Sequence, residues 1–368
     1  MIRRSSYRRA AAVWSAIAAV PLLGFVTSPT ASAAVQQKAA PAAASAAVAT
    51  GHDAGAPNGI RRYFGYQIAY ESNTSSLWST GDDGTGNQNQ GMWTTTNPAI
   101  ADLNDANQMA YQANTSALWT TGNLGTGSLG LGMMPGTSPA IAILSSGVYE
   151  IVFQANTGSL WEYLSGPGGG AFDLGLPMDP KSSPSITTLA TGGVEIAYED
   201  NHDTLEIIGA AGFGSLNLGM WPGSSPSITG FPGGNWQIAF EANTSALWTT
   251  GAAGTFNVGL GMYPGTSPSI SALPGNGYQI AIEANTGVLW TAGTDGTGSL
   301  GLAMWPGTNP AVTGLGNGGY QIAFQGSNGH LWTHGTDSDA DTGQAMWNGS
   351  SPAITALPVV TECIGPNC

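Results

Sequence analysis

A Leu-Trp pair, or a close variant of it, returns along this chain at nearly fixed intervals. Its leucine falls at Leu77, Leu118, Leu160, Leu205, Leu247, Leu289 and Leu331, with spacings of 41, 42, 45, 42, 42 and 42 residues. A proline keeps the same beat at Pro98, Pro139, Pro184, Pro226, Pro268, Pro310 and Pro352, mostly inside Ser-Pro-Ser-Ile or Ser-Pro-Ala-Ile. A period of about 42 residues with only strand signals constrains the fold more than any other feature. One such unit cannot bury both of its faces alone, so neighbouring units must stack on one another.

Residues 226–263 show the unit most cleanly: SPSITGF, WQIAFEA, ALWTTG and NVGLGMY, separated by Gly- or Asn-rich turns. In WQIAFE, Trp236, Ile238 and Phe240 share one face and Gln237, Ala239 and Glu241 the other, the period of two that a sheet requires. Ala-Asn-Thr-Ser and Ala-Asn-Thr-Gly supply turn chemistry for the hairpin, so their Asn-Thr-Ser sequons read as turns rather than glycan acceptors. The first unit begins at its second strand, GYQIAYE from Gly65, and the last ends on a first strand, SPAITAL to Leu357. One blade would then join both chain ends. The expectation is an all-β, seven-bladed β-propeller over residues 61–358, closed by pairing of its N- and C-terminal strands.

Ahead of the repeats, residues 1–33 have a basic start, an apolar stretch and an Ala-Ser-Ala ending, the layout of a cleavable secretion signal. Residues 34–60 are Ala-rich with Pro and Gly and without apolar periodicity, and read as a flexible linker. Four arginines, Arg3, Arg4, Arg8 and Arg9, would leave with the signal and take the net charge from −14 to −18. Past Arg62 the one basic residue is Lys181, so neither a nucleic acid nor an anionic membrane surface finds the cations it needs. No other apolar run approaches the roughly 20 residues of a membrane span, and a released, extracellular product is expected. The tail, residues 359–368, holds the two cysteines, Cys363 and Cys368; export makes a short local disulfide plausible there.

The tryptophans fall into two recurring sets. Trp78, Trp119, Trp161, Trp248, Trp290 and Trp332 belong to the Leu-Trp pair, with Glu206 in the fourth unit. Large rings at one strand position in stacked sheets read as filling between blades. Trp93, Trp221, Trp305 and Trp347 follow a constant Met, at a place where other units carry Met134, Asp179 and Tyr263. A position that alternates among Trp, Tyr, Met and Asp beside an invariant Met reads as reaching water, so Trp93, Trp221, Tyr263, Trp305 and Trp347 are the expected ligand contacts. A polar position in the middle hairpin also recurs, as Glu71, Gln112, Gln154, Glu199, Glu241, Glu283 and Gln325. Its exchange of Glu for Gln argues against proton-transfer catalysis and leaves two readings: a structural hydrogen bond, or a bond to a ligand hydroxyl. Glu71, Glu241, Glu283 and Gln325 are carried forward as the polar partners of the aromatics.

Enzyme chemistry finds little footing. There is no Gly-Xaa-Ser-Xaa-Gly elbow with a His partner and no His-Glu-Xaa-Xaa-His. His330 and His334 flank Trp332 without a third ligand nearby and read as surface residues rather than a zinc site. Asp337, Asp339 and Asp341 alternate as the first ligands of a calcium loop do, but the Gly comes one place late and no Glu closes the loop; an acidic surface turn is the favoured reading.

Taken together, Ser-Pro-Ala-Ile, an alternating strand ending in Phe or Tyr, a polar turn and Leu-Trp resemble the seven-bladed β-propeller lectins related to the Photorhabdus and Psathyrella velutina lectins, and more loosely the tectonins. The resemblance covers residues 65–357. It implies a non-catalytic protein that binds fucose, N-acetylglucosamine or methylated sugars in several shallow pockets between blades. The repeats depart from that family in lacking basic residues, so an Arg-dependent sugar contact does not carry over. The expectation is a secreted, multivalent carbohydrate-binding protein whose fourth unit, with Asp179 and Glu206, lacks a site. The alternative is a secreted scaffold or protein-interaction propeller whose aromatics only close the blades.

Overall fold

A computed structural model describes residues 59–102, 107–145 and 147–364; the expected secretion signal and nearly all of the expected linker lie outside these. Seven four-stranded antiparallel sheets succeed one another around an axis. Blade 2 (from Ala99 to Gly132), blade 3 (from Ala140 to Pro177), blade 4 (from Ser185 to Gly219), blade 5 (from Ser227 to Gly261), blade 6 (from Ser269 to Ala303) and blade 7 (from Ala311 to Ala345) each run from an innermost to an outermost strand in chain order. Blade 1 is the exception the phase shift predicts. Its innermost strand, Ala353–Ala356, comes from the C-terminal end and pairs with Tyr66–Glu71, followed by Ser76–Gly81 and Gly86–Gly91. The described residues contain no α-helix, only a 3-10 turn at Pro274–Asn276.

The expected tail is partly a strand. Val360–Ile364 pairs antiparallel with Gly59–Tyr63 in a separate two-stranded ribbon, with Ile60 opposite Cys363. The pairing of Cys363 with Cys368 lies outside the described residues.

Hydrophobic burial is organised by seam. Each of seven clusters joins two adjacent blades, and the two sides differ in kind. In blade 5, Trp236, Ile238, Phe240 and Trp248 pack against blade 4, whereas Ala239, Leu247 and Met262 pack against blade 6. The alternation along each strand therefore sorts large from small: bulky residues face the preceding blade, and Ala, Leu and Met receive the bulk of the next. The Leu-Trp pair straddles its strand, Leu247 fully buried on one face and Trp248 half-buried on the other. The recurring Met, from Met92 to Met346, is at most 2 % exposed in every unit, which confirms the reading of the constant residue as core.

The Asn-Thr turn locks the seam from the rim. Asn243 donates its N–H to the carbonyl of Gly219 in the preceding blade (3.2 Å), and Asn114, Asn156 and Asn285 make the same bond. A Cβ at Gly261 would stand 2.5 Å from Nδ2 of Asn285, so glycine ends the outermost strand to admit that side chain.

Candidate functional site

After each outermost strand the chain passes the buried Met and turns back to the axis, and the residue after Met sits on the seam. Met262 forms a single bridge to Ala284, and the N–H of Tyr263 donates to the carbonyl of Glu283 in the next blade (2.9 Å). Trp93, Trp221, Trp305 and Trp347 repeat this with Gln112, Glu241, Gln325 and Glu71 at 2.9–3.0 Å. All five rings are half-buried. Trp221 places Nε1 3.7 Å from where a Cβ on Gly265 would stand, and Trp305 comes within 3.8 Å of the corresponding point on Gly329. Each of these two half-buried rings thus has an edge beside a glycine of the following unit.

The expected polar partners lie beneath these turns. Glu71, Glu241, Glu283 and Gln325 are fully enclosed, 0 % exposed, which corrects the expectation that they meet a ligand. Each instead clasps the aromatic turn of its own blade. The N–H of Gly265 donates to Oε2 of Glu241 (2.9 Å), that of Thr95 to Glu71 (3.0 Å), that of Gly307 to Glu283 (2.9 Å) and that of Gly349 to Oε1 of Gln325 (3.0 Å). Burial pushes the acids far above the usual carboxylate range, Glu71 and Glu241 to about 8 and Glu283 to about 7, against the pull of those N–H donors. Glu199 in blade 4 reaches about 9 through burial and, next, the charge of Asp179.

A second clasp stands at the other end of the same strands and was missed in the sequence. Gln67 accepts the N–H of Asp83 at Oε1 and donates from Nε2 to the carbonyl of Gly84 (3.1 and 2.8 Å), and Gln279 and Gln321 repeat both bonds on the turn that follows their third strand. Its signal was available: a Gln or Glu recurs four residues before the first clasp at Gln67, Gln108, Glu150, Glu195, Gln237, Gln279 and Gln321.

At the axis, the residue before each repeat proline takes a part that its Ser-Pro spelling alone does not reveal. Asn97 N–H donates to Ser138 Oγ, Ser138 to Ser183, Ser183 to Ser225, Ser225 to Ser267, Ser267 to Asn309 Oδ1, Asn309 to Ser351, and Ser351 back to Asn97 Oδ1, all at 2.7–2.9 Å. The circle surrounds an axial cavity of about 300 Å³ with no charged residue in its lining.

Two of the three aspartates of the weak calcium candidate, Asp341 and Asp339, have separate partners. Asp341 accepts from Asn328 Nδ2 (2.9 Å) and the Gly343 N–H (2.8 Å) and lies 3.2 Å from Nδ1 of His330; Asp339 lies 3.1 Å from His334. Among the described residues no group of three or more His, Cys, Asp or Glu is placed to hold a metal ion, so the calcium reading is set aside. His330 and His334 each meet a nearby aspartate, and His202, in the hairpin turn of blade 4, lies 3.4 Å from Asp200.

Chemically, the face offers half-exposed aromatic plates, backbone groups and small hydroxyls on rigid turns, with its buried acids out of reach. No family model matches the sequence, and no curated protein aligns with it significantly. Solved structures do share its fold. AofleA from Arthrobotrys oligospora superposes with a TM-score of 0.54 at 10% identity, over 82% of this chain and 92% of that one. The SapL1 lectin in complex with alpha methyl fucoside gives 0.51 at 16% identity over 69% and 97%. The fucose-specific lectin from Aleuria aurantia gives 0.51 at 12% identity over 75% and 98%.

Proposed function

We propose that the protein is a secreted, non-catalytic lectin that binds neutral sugars at several blade seams, through Trp93, Trp221, Tyr263, Trp305 and Trp347. The observation that carries this reading is the repeated seam: five half-buried aromatics, one per seam, pinned by the N–H bond to the next blade and by a buried clasp below. A pyranose has one apolar face for such a plate and hydroxyls for the surrounding backbone and hydroxyl groups, with water filling the remainder. The acidic chain, with Lys181 its one base past Arg62, disfavours anionic glycans. Fucose- or N-acetylglucosamine-type sugars fit the resemblance to the propeller lectins, and fucose fits the ligands named for two of the structural neighbours. The seams between blades 2 and 3 and between blades 3 and 4, with Met134 and Asp179, carry no aromatic at the position after the buried Met and are the weak members. Several shallow sites on one rigid disc give avidity on a glycan-coated surface about 10²–10⁴ above a single site.

A glycan array on the secreted protein, followed by competition with free monosaccharide, tests this. Binding to neutral glycans that free sugar reverses is the expected result; no binding above background ends the proposal.

One observation favours a second reading, a protein-interaction propeller. Phe172, Phe213 and Phe256 stand at or near the start of the outermost strands of blades 3, 4 and 5, and are 47%, 86% and 40% exposed. Retained protein binding by a variant with all three changed to Ser would count against it.

A further inference from the structure

The seven clasps at the turns after the buried Met are built from two residue types, and six of them accept a backbone N–H of the turn. In two of the three glutamine units both ends are visible. Gln112 accepts the Gly136 N–H at Oε1 (2.9 Å) and donates from Nε2 to the carbonyl of Met134 (2.8 Å); Gln325 does the same with Gly349 and Trp347 at 3.0 Å each. Gln154 makes the donating bond, to the carbonyl of Asp179 at 3.0 Å, while its Oε1 is buried without a partner. In the glutamate units the accepting bond persists, from Thr95 to Glu71, from Gly223 to Glu199, from Gly265 to Glu241 and from Gly307 to Glu283, all at Oε2 and 2.9–3.1 Å. The other oxygen, Oε1, takes the place of the amide nitrogen. In all four it is buried without a hydrogen-bond partner.

An ionised carboxylate there would set an acceptor where the glutamine units set a donor, and among the described residues none of the four pairs with a cation, Lys181 coming only against Gly223 in the turn of Glu199. We propose that Glu71, Glu199, Glu241 and Glu283 are neutral carboxylic acids in the folded protein, each donating Oε1–H to the carbonyl of its own turn, at Trp93, Trp221, Tyr263 and Trp305. They are positioning residues: a bound proton completes the clasp that holds each aromatic. Burial raises the pKa of all four, the same direction the geometry demands. No charged side chain contributes at Glu71, Glu241 or Glu283, while Asp179, Asp203 and Asp200 add to the effect at Glu199.

The sign follows from the folded pKa lying above the unfolded one. The stability these groups supply is fully present below the unfolded value near 4.5 and is lost as pH rises through the folded values of about 7 to 9. The ring is thus tightest in mildly acidic surroundings, and four of the five aromatic turns loosen together in alkali. The fifth, held by Gln325 under Trp347, is insensitive.

The test needs no sugar, so it stands or falls apart from the lectin reading. Unfolding the protein in denaturant at pH 6 under a pH-stat should release about one proton from each neutral acid. The quadruple variant E71Q/E199Q/E241Q/E283Q should release about four fewer than the wild type, and its denaturation midpoint should no longer decline between pH 5 and pH 9 by the share these groups supply. Glu150 and Glu195, also raised by burial, contribute equally to both proteins and cancel. Should the quadruple variant fail to fold, E241Q and E283Q alone should each remove about one proton. Infrared spectra of the wild type with labelled glutamate should also show a carboxylic-acid band at pH 6 that fades in alkali. A proton release unchanged by the substitutions, or no acid band at pH 6, overturns the proposal.

Discussion

The N–H of Ser351 donates to Oδ1 of Asn97 at 2.9 Å across 254 residues of sequence. It is the seventh link of the axial circle and the one that ties the last repeat to the first. Ser351 is almost fully buried, so its N–H has no ready substitute partner. Asn97→Ala should cost about 1–3 kcal/mol, read as a lower denaturation midpoint with an unchanged slope. Asn97→Ser should cost little, because serine fills this place in five of the seven units.

Trp305 tests the seam as a binding site. Trp305→Ala removes a half-buried ring resting beside Gly329 and leaves Met304 and the clasp of Glu283 in place. Titration with a monovalent sugar should find one site fewer with the others unchanged, and the variant should stay folded. Replacing all five aromatics should abolish retention on a glycan surface, because avidity falls steeply as sites are lost.

Met262 tests the seam as a core. It is fully buried between blades 5 and 6, and Met262→Ala should destabilise by about 2–5 kcal/mol. Thermal unfolding should show a lower midpoint while sugar titration of the remaining folded protein is unaffected, the reverse of the Trp305 result.

Gly251 ends the third strand of blade 5 at φ +137, and a Cβ there would stand 2.4 Å from the carbonyl oxygen of Trp236. Both the backbone conformation and the contact exclude a side chain. Gly251→Ala should cost about 2–4 kcal/mol, visible in chemical denaturation, although alanine is a gentle change elsewhere on the surface.

What the sequence made legible was whatever repeats in number or phase. Seven recurring leucines, six of them followed by Trp, counted the blades, and the offset between Gly65 and Leu357 located the blade that joins the ends. Invariance marked Met262 correctly as core. Direction was not legible. A strand's alternation tells which residues share a face, but both faces of an internal propeller strand are covered, so Glu241 looked as available to a ligand as Tyr263. Its exchange with Gln pointed to hydrogen bonding and could not say that the partner is the N–H of Gly265. The circle from Asn97 to Ser351 was hidden for a similar reason: Ser-Pro announces a local turn, and nothing local shows that its hydroxyl serves the neighbouring repeat. The strand at Val360–Ile364 pairs with residues at the far end of the chain, beyond the reach of any window.

The sorting of large residues to one face and small ones to the other makes every seam a heterologous, head-to-tail interface. Such an interface has no intrinsic end: it repeats until the rotation between successive members returns to the start. No residue in this protein therefore specifies the number seven. The number is held in the wedge that Trp236, Ile238 and Phe240 form against Ala197, Leu205 and Met220, and in its six counterparts, each turning the chain by one-seventh of a circle. A set of substitutions that thickened or thinned all seven wedges together would change the angle of closure, and with it the symmetry of the molecule, while leaving each blade as it is.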